Sequence, residues 1–219
     1  MSSVAKRVVG TVVGVLIVAA AIGFYVNYLI RGPTPVNATE TTARTANLTL
    51  ATTAAIGPAG RQQTWVSYLI RQNGKWIHST VWNLPAHSLI HVTLYQYDGQ
   101  SGLRNPFLSQ VQGTAGGVMR LNGTPTRSIP PDTASHTFAV PQLGILVPLK
   151  GISDSAKNAC DAWPCTQQQA HETITFTFRT GAPGRYRWQC FVPCAAGFIH
   201  GFGGPMQTVG YMDGFIKVV

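Results

Sequence analysis

The segment HSLIHVTLYQY, His87 to Tyr97, decides the fold class of this chain. Leu89, His91, Thr93, Tyr95 and Tyr97 fall on one face of an extended backbone, and Ile90, Val92, Leu94 and Gln96 fall on the other. Side chains of a strand alternate with period two, so the segment predicts a strand with one apolar face. Similar β-branched and aromatic runs lie on either side. TWVSYLI and KWIHSTVW precede it; HTFAV, ILVPL, ETITFTF, RYRWQCF and GFIKVV follow. Clusters of Pro and Gly (NLP, DGQSG, IPPD, GAPG) separate them and mark turns. Many short strands between turn clusters predict an all-β domain, either a β-sandwich or a Greek-key barrel.

The N-terminus differs in kind. From Val8 to Ile30 the chain carries no charge and one strongly polar residue, Asn27. About 20 apolar residues cross a hydrocarbon core, so this run predicts one transmembrane helix. Lys6 and Arg7 precede it, which puts the N-terminus in the cytoplasm and the C-terminal domain on the extracytoplasmic side. A cleaved signal peptide is the alternative, with Ala19 to Ala21 as the processing site. Both readings deliver the same domain to the outer face. Residues 1–32 are then the cytoplasmic tip and anchor. Residues 33–60, rich in Thr and Ala, are expected to be a linker, and residues 61–219 the extracytoplasmic domain.

The charge balance is basic, with 16 Lys and Arg against seven Asp and Glu. The bases are scattered rather than clustered, which argues against nucleic-acid binding. No Ser/His/acid pattern suggests a hydrolase.

The chemistry concentrates in CFVPCAAGFIHGFGGPM, Cys190 to Met206. Thiolate, imidazole and thioether are the donors that suit copper, and this one loop offers Cys190, Cys194, His200 and Met206. In the usual arrangement of such copper sites, one further histidine comes from an earlier strand. His136, which opens HTFAVPQLGILVPL, is the best candidate. Met212 is a rival to Met206. His87 and His91 would stand roughly 13 Å apart on one face of a strand and could not share an ion. His78 and His171 have no partners in sequence, and Trp188 is expected in the core.

These two segments resemble the cupredoxins, and especially the copper domain of cytochrome c oxidase subunit II. His136 to Val147, HTFAVPQLGILV, follows that domain's pattern His-x-x-x-Val-Pro-x-x-Gly-x-x-Val. The later pattern of Cys, three residues, Cys, then His and Met is met by Cys190, Cys194, His200 and Met206, with longer gaps after Cys194. The resemblance implies a Greek-key cupredoxin β-sandwich. It also implies that Cys190 and Cys194 bridge two copper ions, with His136 and His200 as terminal ligands. Met206 would be a weak axial ligand, and the Val192 carbonyl a backbone ligand. A mononuclear blue-copper site with one cysteine, His136, His200 and Met206 remains open, as in the sulfocyanin-like membrane-anchored carriers. Cys160 and Cys165 would then form a local disulfide; pairing of all four cysteines without metal is the other possibility.

The implied function is membrane-anchored electron transfer in a respiratory chain. Its expected partners are a redox protein (a cytochrome or other carrier) and haem-copper oxidase subunit I. Copper storage or delivery is the alternative of another class.

Overall fold

The computed structural model describes residues 2–29, 33–42, 44–56, 65–194 and 204–219. The chain divides into two units, Met1–Gly32 and Pro33–Val219. The first is a helix, α1 (Ser3–Leu29). Its span Ser3–Asn27 has 25 residues, is apolar enough to cross a membrane, and is about 37 Å long at 1.5 Å per residue. Val15, Leu16 and Phe24 are exposed on it.

The second unit is built of strands β1 (Val36–Asn37), β2 (Thr39–Thr42), β3 (Thr45–Thr53), β4 (Ser67–Gln72), β5 (Lys75–Ile77), β6 (Val81–Leu84) and β7 (Leu89–Gln96). It continues with β8 (Met119–Leu121), β9 (Thr124–Thr126), β10 (Ala134–Val140), β11 (Ile145–Lys150), β12 (Glu172–Arg179), β13 (Gly184–Gln189) and β14 (Asp213–Val218). One sheet has the order β1-β6-β14-β13-β10-β11. The other has the order β5-β4-β3-β7-β12-β8-β9, with β2 paired to β3. The chain passes repeatedly from one sheet to the other, as Greek-key sandwiches require. The predicted all-β sandwich is therefore the fold. On β7 the expected alternation holds: Ile90, Val92, Leu94 and Gln96 are fully buried, while His91 faces outward.

Two expectations fail on local grounds. The segment 33–60 is not a linker along its described length. Strand β3 pairs with β4 on one side and runs parallel to β7 on the other. Its Ala46, Leu48 and Leu50 are buried. The Thr-rich composition hid the period-two pattern, and Thr is itself a good strand residue. The folded unit therefore starts at Pro33 rather than at residue 61. KWIHSTVW is also not one strand: β5 and β6 belong to different sheets, and His78–Thr80 make the step between them. Residues described from Trp65 onward supply strands to both layers and add no third one.

Aromatic rings fill the space between the sheets. Trp82 and Trp188 stack with centroids 4.6 Å apart, and Tyr68 meets Trp188 edge-on at 4.6 Å. Phe138 of β10 reaches Phe176 of β12 at 5.3 Å across the sandwich. Each such pair adds about 0.5–1.5 kcal/mol beyond area burial. The buried Trp188 Nε1 donates to the Thr80 carbonyl at 2.9 Å. That approach is possible because Gly214 lacks a Cβ, whose place would collide with the Thr80 carbonyl and the Trp188 indole. The stack anchors the end of β13, from which the cysteine segment departs.

Candidate metal centre

Every residue of β10 is buried, and His136 lies on the same face as Phe138, toward the second sheet. The pairing of β10 with β11 shifts register between Ala134 and His136. Such an irregularity re-aims a side chain near a strand end. Past β13, the Cys190 N–H donates to the Met212 carbonyl at 2.9 Å, and the Phe191 N–H donates to Thr137 Oγ1 at 2.7 Å. Cys194 N–H donates to the Val192 carbonyl at 2.7 Å, closing a tight turn that folds one cysteine back toward the other.

The result is a cluster of soft donors. Cys190 Sγ and Cys194 Sγ stand 3.1 Å apart. His136 Nδ1 lies 2.7 Å from Cys194 Sγ and 3.8 Å from Cys190 Sγ. All three residues are buried, and both cysteines are free thiols. The backbone completes the pocket: Thr137 N–H points to Cys190 Sγ at 3.4 Å, and the Val192 carbonyl lies 3.4 Å from the same sulfur. The other ring nitrogen, Nε2, is 2.8 Å from Asp98 Oδ2. Beside this group opens a cavity of about 280 Å³, lined in part by Asp98, Ser135, His136, Val192 and Cys194.

The electrostatics follow the contacts. Burial by itself would lower the His136 pKa. Its hydrogen bond to Asp98, then its contact with Cys190, outweigh this and push it up to about 9. Asp98 is held below the ordinary carboxylate value: burial opposes this, but His136 and the Gly99 N–H prevail. Burial would raise Cys190 too, yet the hydrogen bonds of Cys194 and His136 pull it well below the ordinary thiol value. Cys194 is raised well above that value, first by its hydrogen bond to Cys190 and then by burial. Nδ1 lies nearer Cys194 than Cys190, and the three groups are close enough to titrate together rather than one by one.

The donor set fits a thiophilic ion. Two buried free cysteines and a buried imidazole converge on one point, and thiolate and imidazole suit copper and zinc alike. The same chain oxidises its other pair: Cys160 and Cys165 form a disulfide. The pairing of Cys190 with Cys194 is not made, so the reading in which all four cysteines are bridged is not the one the structure adopts.

Sequence reasoning named His136, Cys190, Cys194 and Val192, and the fold brings these together. His200 lies outside the described residues. Met206 sits in a 3₁₀ turn, Pro205–Gln207, with its half-buried side chain against the main core and its carbonyl accepting from Gln189 Nε2 at 2.8 Å. Its rival Met212 is fully buried, and its carbonyl accepts from Cys190. Three of the remaining histidines find other partners. His78 Nε2 meets Ser67 Oγ at 2.8 Å, His91 Nδ1 meets Thr177 Oγ1 at 3.0 Å, and His171 Nδ1 meets the Gln169 carbonyl at 2.9 Å. His87 lies before β7, at a positive φ of 49°, and not on the strand. Asp98 was missed, because in YDGQSG it reads as an ordinary turn residue.

No family model matches the chain, and no curated protein matches it. Solved structures of rusticyanin do align with it. One, from Thiobacillus ferrooxidans, is 15% identical, with 86% of each chain covered and a TM-score of 0.30. Another, described as a copper protein, is 16% identical, with 86% of each chain covered and a TM-score of 0.30. A third, reduced rusticyanin in solution, is 16% identical over 83% of this chain and 80% of its own, with a TM-score of 0.33.

Proposed function

We propose that this protein is a membrane-anchored copper protein of the cupredoxin type that transfers single electrons. The observation that carries the reading is the pair of buried free thiols 3.1 Å apart with His136 Nδ1 at 2.7 Å from one of them. Met212 accepts a backbone hydrogen bond from Cys190 and Met206 one from the neighbouring Gln189 side chain, so two methionines lie on the segment bonded to this one, and thioether favours copper over zinc. Cys190, Cys194 and His136 would hold the ion, with the Val192 carbonyl and a methionine as weaker ligands. When bound, copper supplies one-electron chemistry. The chain's own residues keep the donors rigid between two sheets and away from water, so that a change of charge rearranges little. Burial of all three donors favours this over storage or delivery, which needs ligands that exchange easily.

Both cysteines face the imidazole, which favours a two-copper centre bridged by sulfur, as in cytochrome c oxidase subunit II, over a one-copper carrier. In this reading α1 anchors the domain on the extracytoplasmic face, His200 completes the ligands, and the partners are a redox protein and a haem-copper oxidase core. Copper-loaded full-length protein in detergent tests the proposal by electron paramagnetic resonance and voltammetry. A seven-line pattern and a reversible wave are expected. A four-line pattern with one copper per chain would leave the carrier function and remove the bridge. A loaded protein without a reversible wave would turn the reading to storage or delivery.

A further inference from the structure

We propose that Asp98 is a positioning residue of this centre: it turns Nδ1 of His136 toward the sulfur pair and favours the oxidised state of the bound ion. The inference rests on the metal reading above and adds to it a group that the ligand motifs do not contain. Asp98 follows β7, in the sheet opposite the strand that carries His136. Its carboxylate is fixed before any ion arrives. Gly99 N–H donates to Oδ1 at 2.8 Å, and Oδ2 faces His136 Nε2 at 2.8 Å.

The backbone beneath Asp98 is clasped on both sides. Tyr97 N–H donates to the Thr52 carbonyl at 3.1 Å, and Ile152 N–H donates to the Asp98 carbonyl at 3.0 Å. Gly151 lets this turn approach, since a Cβ there would meet the Gly99 carbonyl. Ser101 Oγ donates to the carbonyl of Ala134, two residues before His136. The turn and the histidine strand are therefore tied together at two points, Asp98 on His136 and Ser101 on Ala134, while Thr52 and Ile152 hold the turn from its other neighbours.

An imidazole with one nitrogen bonded to a carboxylate keeps its proton there and offers the other nitrogen's lone pair. Outer carboxylates of this kind fix the tautomer and raise ligand basicity. A full negative charge one ring away from the ion also stabilises its more positive state.

The test uses copper-loaded, full-length protein in detergent, as wild type, Asp98→Asn and Asp98→Glu. Asn keeps the shape and an acceptor oxygen and loses the charge. At a fixed ambient potential, Asp98→Asn is expected to raise the reduced-to-oxidised ratio about tenfold, about 59 mV for a one-electron couple. Asp98→Glu should return most of that shift. In the copper(I) protein, ¹⁵N resonances of His136 should show Nδ1 bound and Nε2 protonated, a reading that needs no variant. A ratio unchanged in Asp98→Asn, or an ion on Nε2, would overturn the inference while leaving the copper centre standing. A wild-type chain that takes up no copper would overturn the centre, and this inference with it.

Discussion

The chain holds two short-spaced cysteine pairs, and they meet opposite fates. Cys160 and Cys165, five positions apart, close into a disulfide with a Cα–Cα distance of 5.7 Å. They sit in a small satellite cluster with Ala51 and Tyr97, under Trp76, Tyr95 and Trp163. Cys190 and Cys194 stand 3.1 Å apart and stay free. Spacing alone does not distinguish them. The difference lies in what the fold delivers to each. Aromatic rings and the Thr53 hydroxyl, 3.6 Å from Cys165 Sγ, surround the first pair. An imidazole backed by a carboxylate reaches the second. A positive group beside two sulfurs stabilises a thiolate, and a stabilised thiolate binds metal.

The largest expected effect breaks the comparison outright. Cys190→Ser, Cys194→Ser or His136→Ala should abolish retention of copper after gel filtration in the presence of a chelator. The double change Cys160→Ser/Cys165→Ser should leave copper content at the wild-type level. Elemental analysis decides, and copper lost equally from both sets would mean that the two pairs are not distinct.

The second effect is on stability and runs the other way. Closing a loop of this length stabilises a fold by about 2 kcal/mol through the unfolded chain. The metal-free Cys160→Ser/Cys165→Ser protein should lose about that much in a urea titration, with an m-value equal to or slightly above that of the wild type.

A third, smaller effect separates the methionines. Met→Leu in a core costs less than about 1.5 kcal/mol, so Met206→Leu and Met212→Leu should both fold and both hold copper. Only a methionine that ligates the ion, the role the sequence reading expects of Met206, should change the redox potential and hyperfine pattern.

The smallest effect serves as a baseline. Burial lowers the pKa of His78 from its ordinary 6.5, partly offset by the Gly210 backbone. Unfolded His78 therefore binds its proton first as pH falls. Its contribution to stability is full above about pH 6.5 and is lost below that value as pH drops toward the folded pKa. Wild type and both cysteine variants should show this acid-side loss in parallel, by thermal melts in the metal-free state, and His78→Gln should reduce it.

Part of this was legible in the linear chain. Alternation from Leu89 to Gln96 marked β7 correctly, because one face of that strand is buried and the other is not. The soft donors were visible in Cys190 and Cys194, since short-range ligands share a loop. His136 could be named from the pattern it opens, although what places it is a bulged strand of one sheet and a turn from the other. Strand β3 was lost because Thr and Ala pack well at the centre of a sheet yet also fill linkers. Asp98 was lost because its partner is 38 positions away in sequence and no local signal distinguishes a turn aspartate from one that reaches a histidine. Spacing favoured Met206, which follows His200 sooner, but both methionines pack against the core and the fold does not decide between them.

The most direct test is X-ray absorption at the copper edge of the loaded full-length protein. This account predicts sulfur and imidazole nitrogen around the ion, with the sulfur signal gone from the Cys190→Ser/Cys194→Ser protein. An environment of oxygen and nitrogen alone, the same in both proteins, would contradict it.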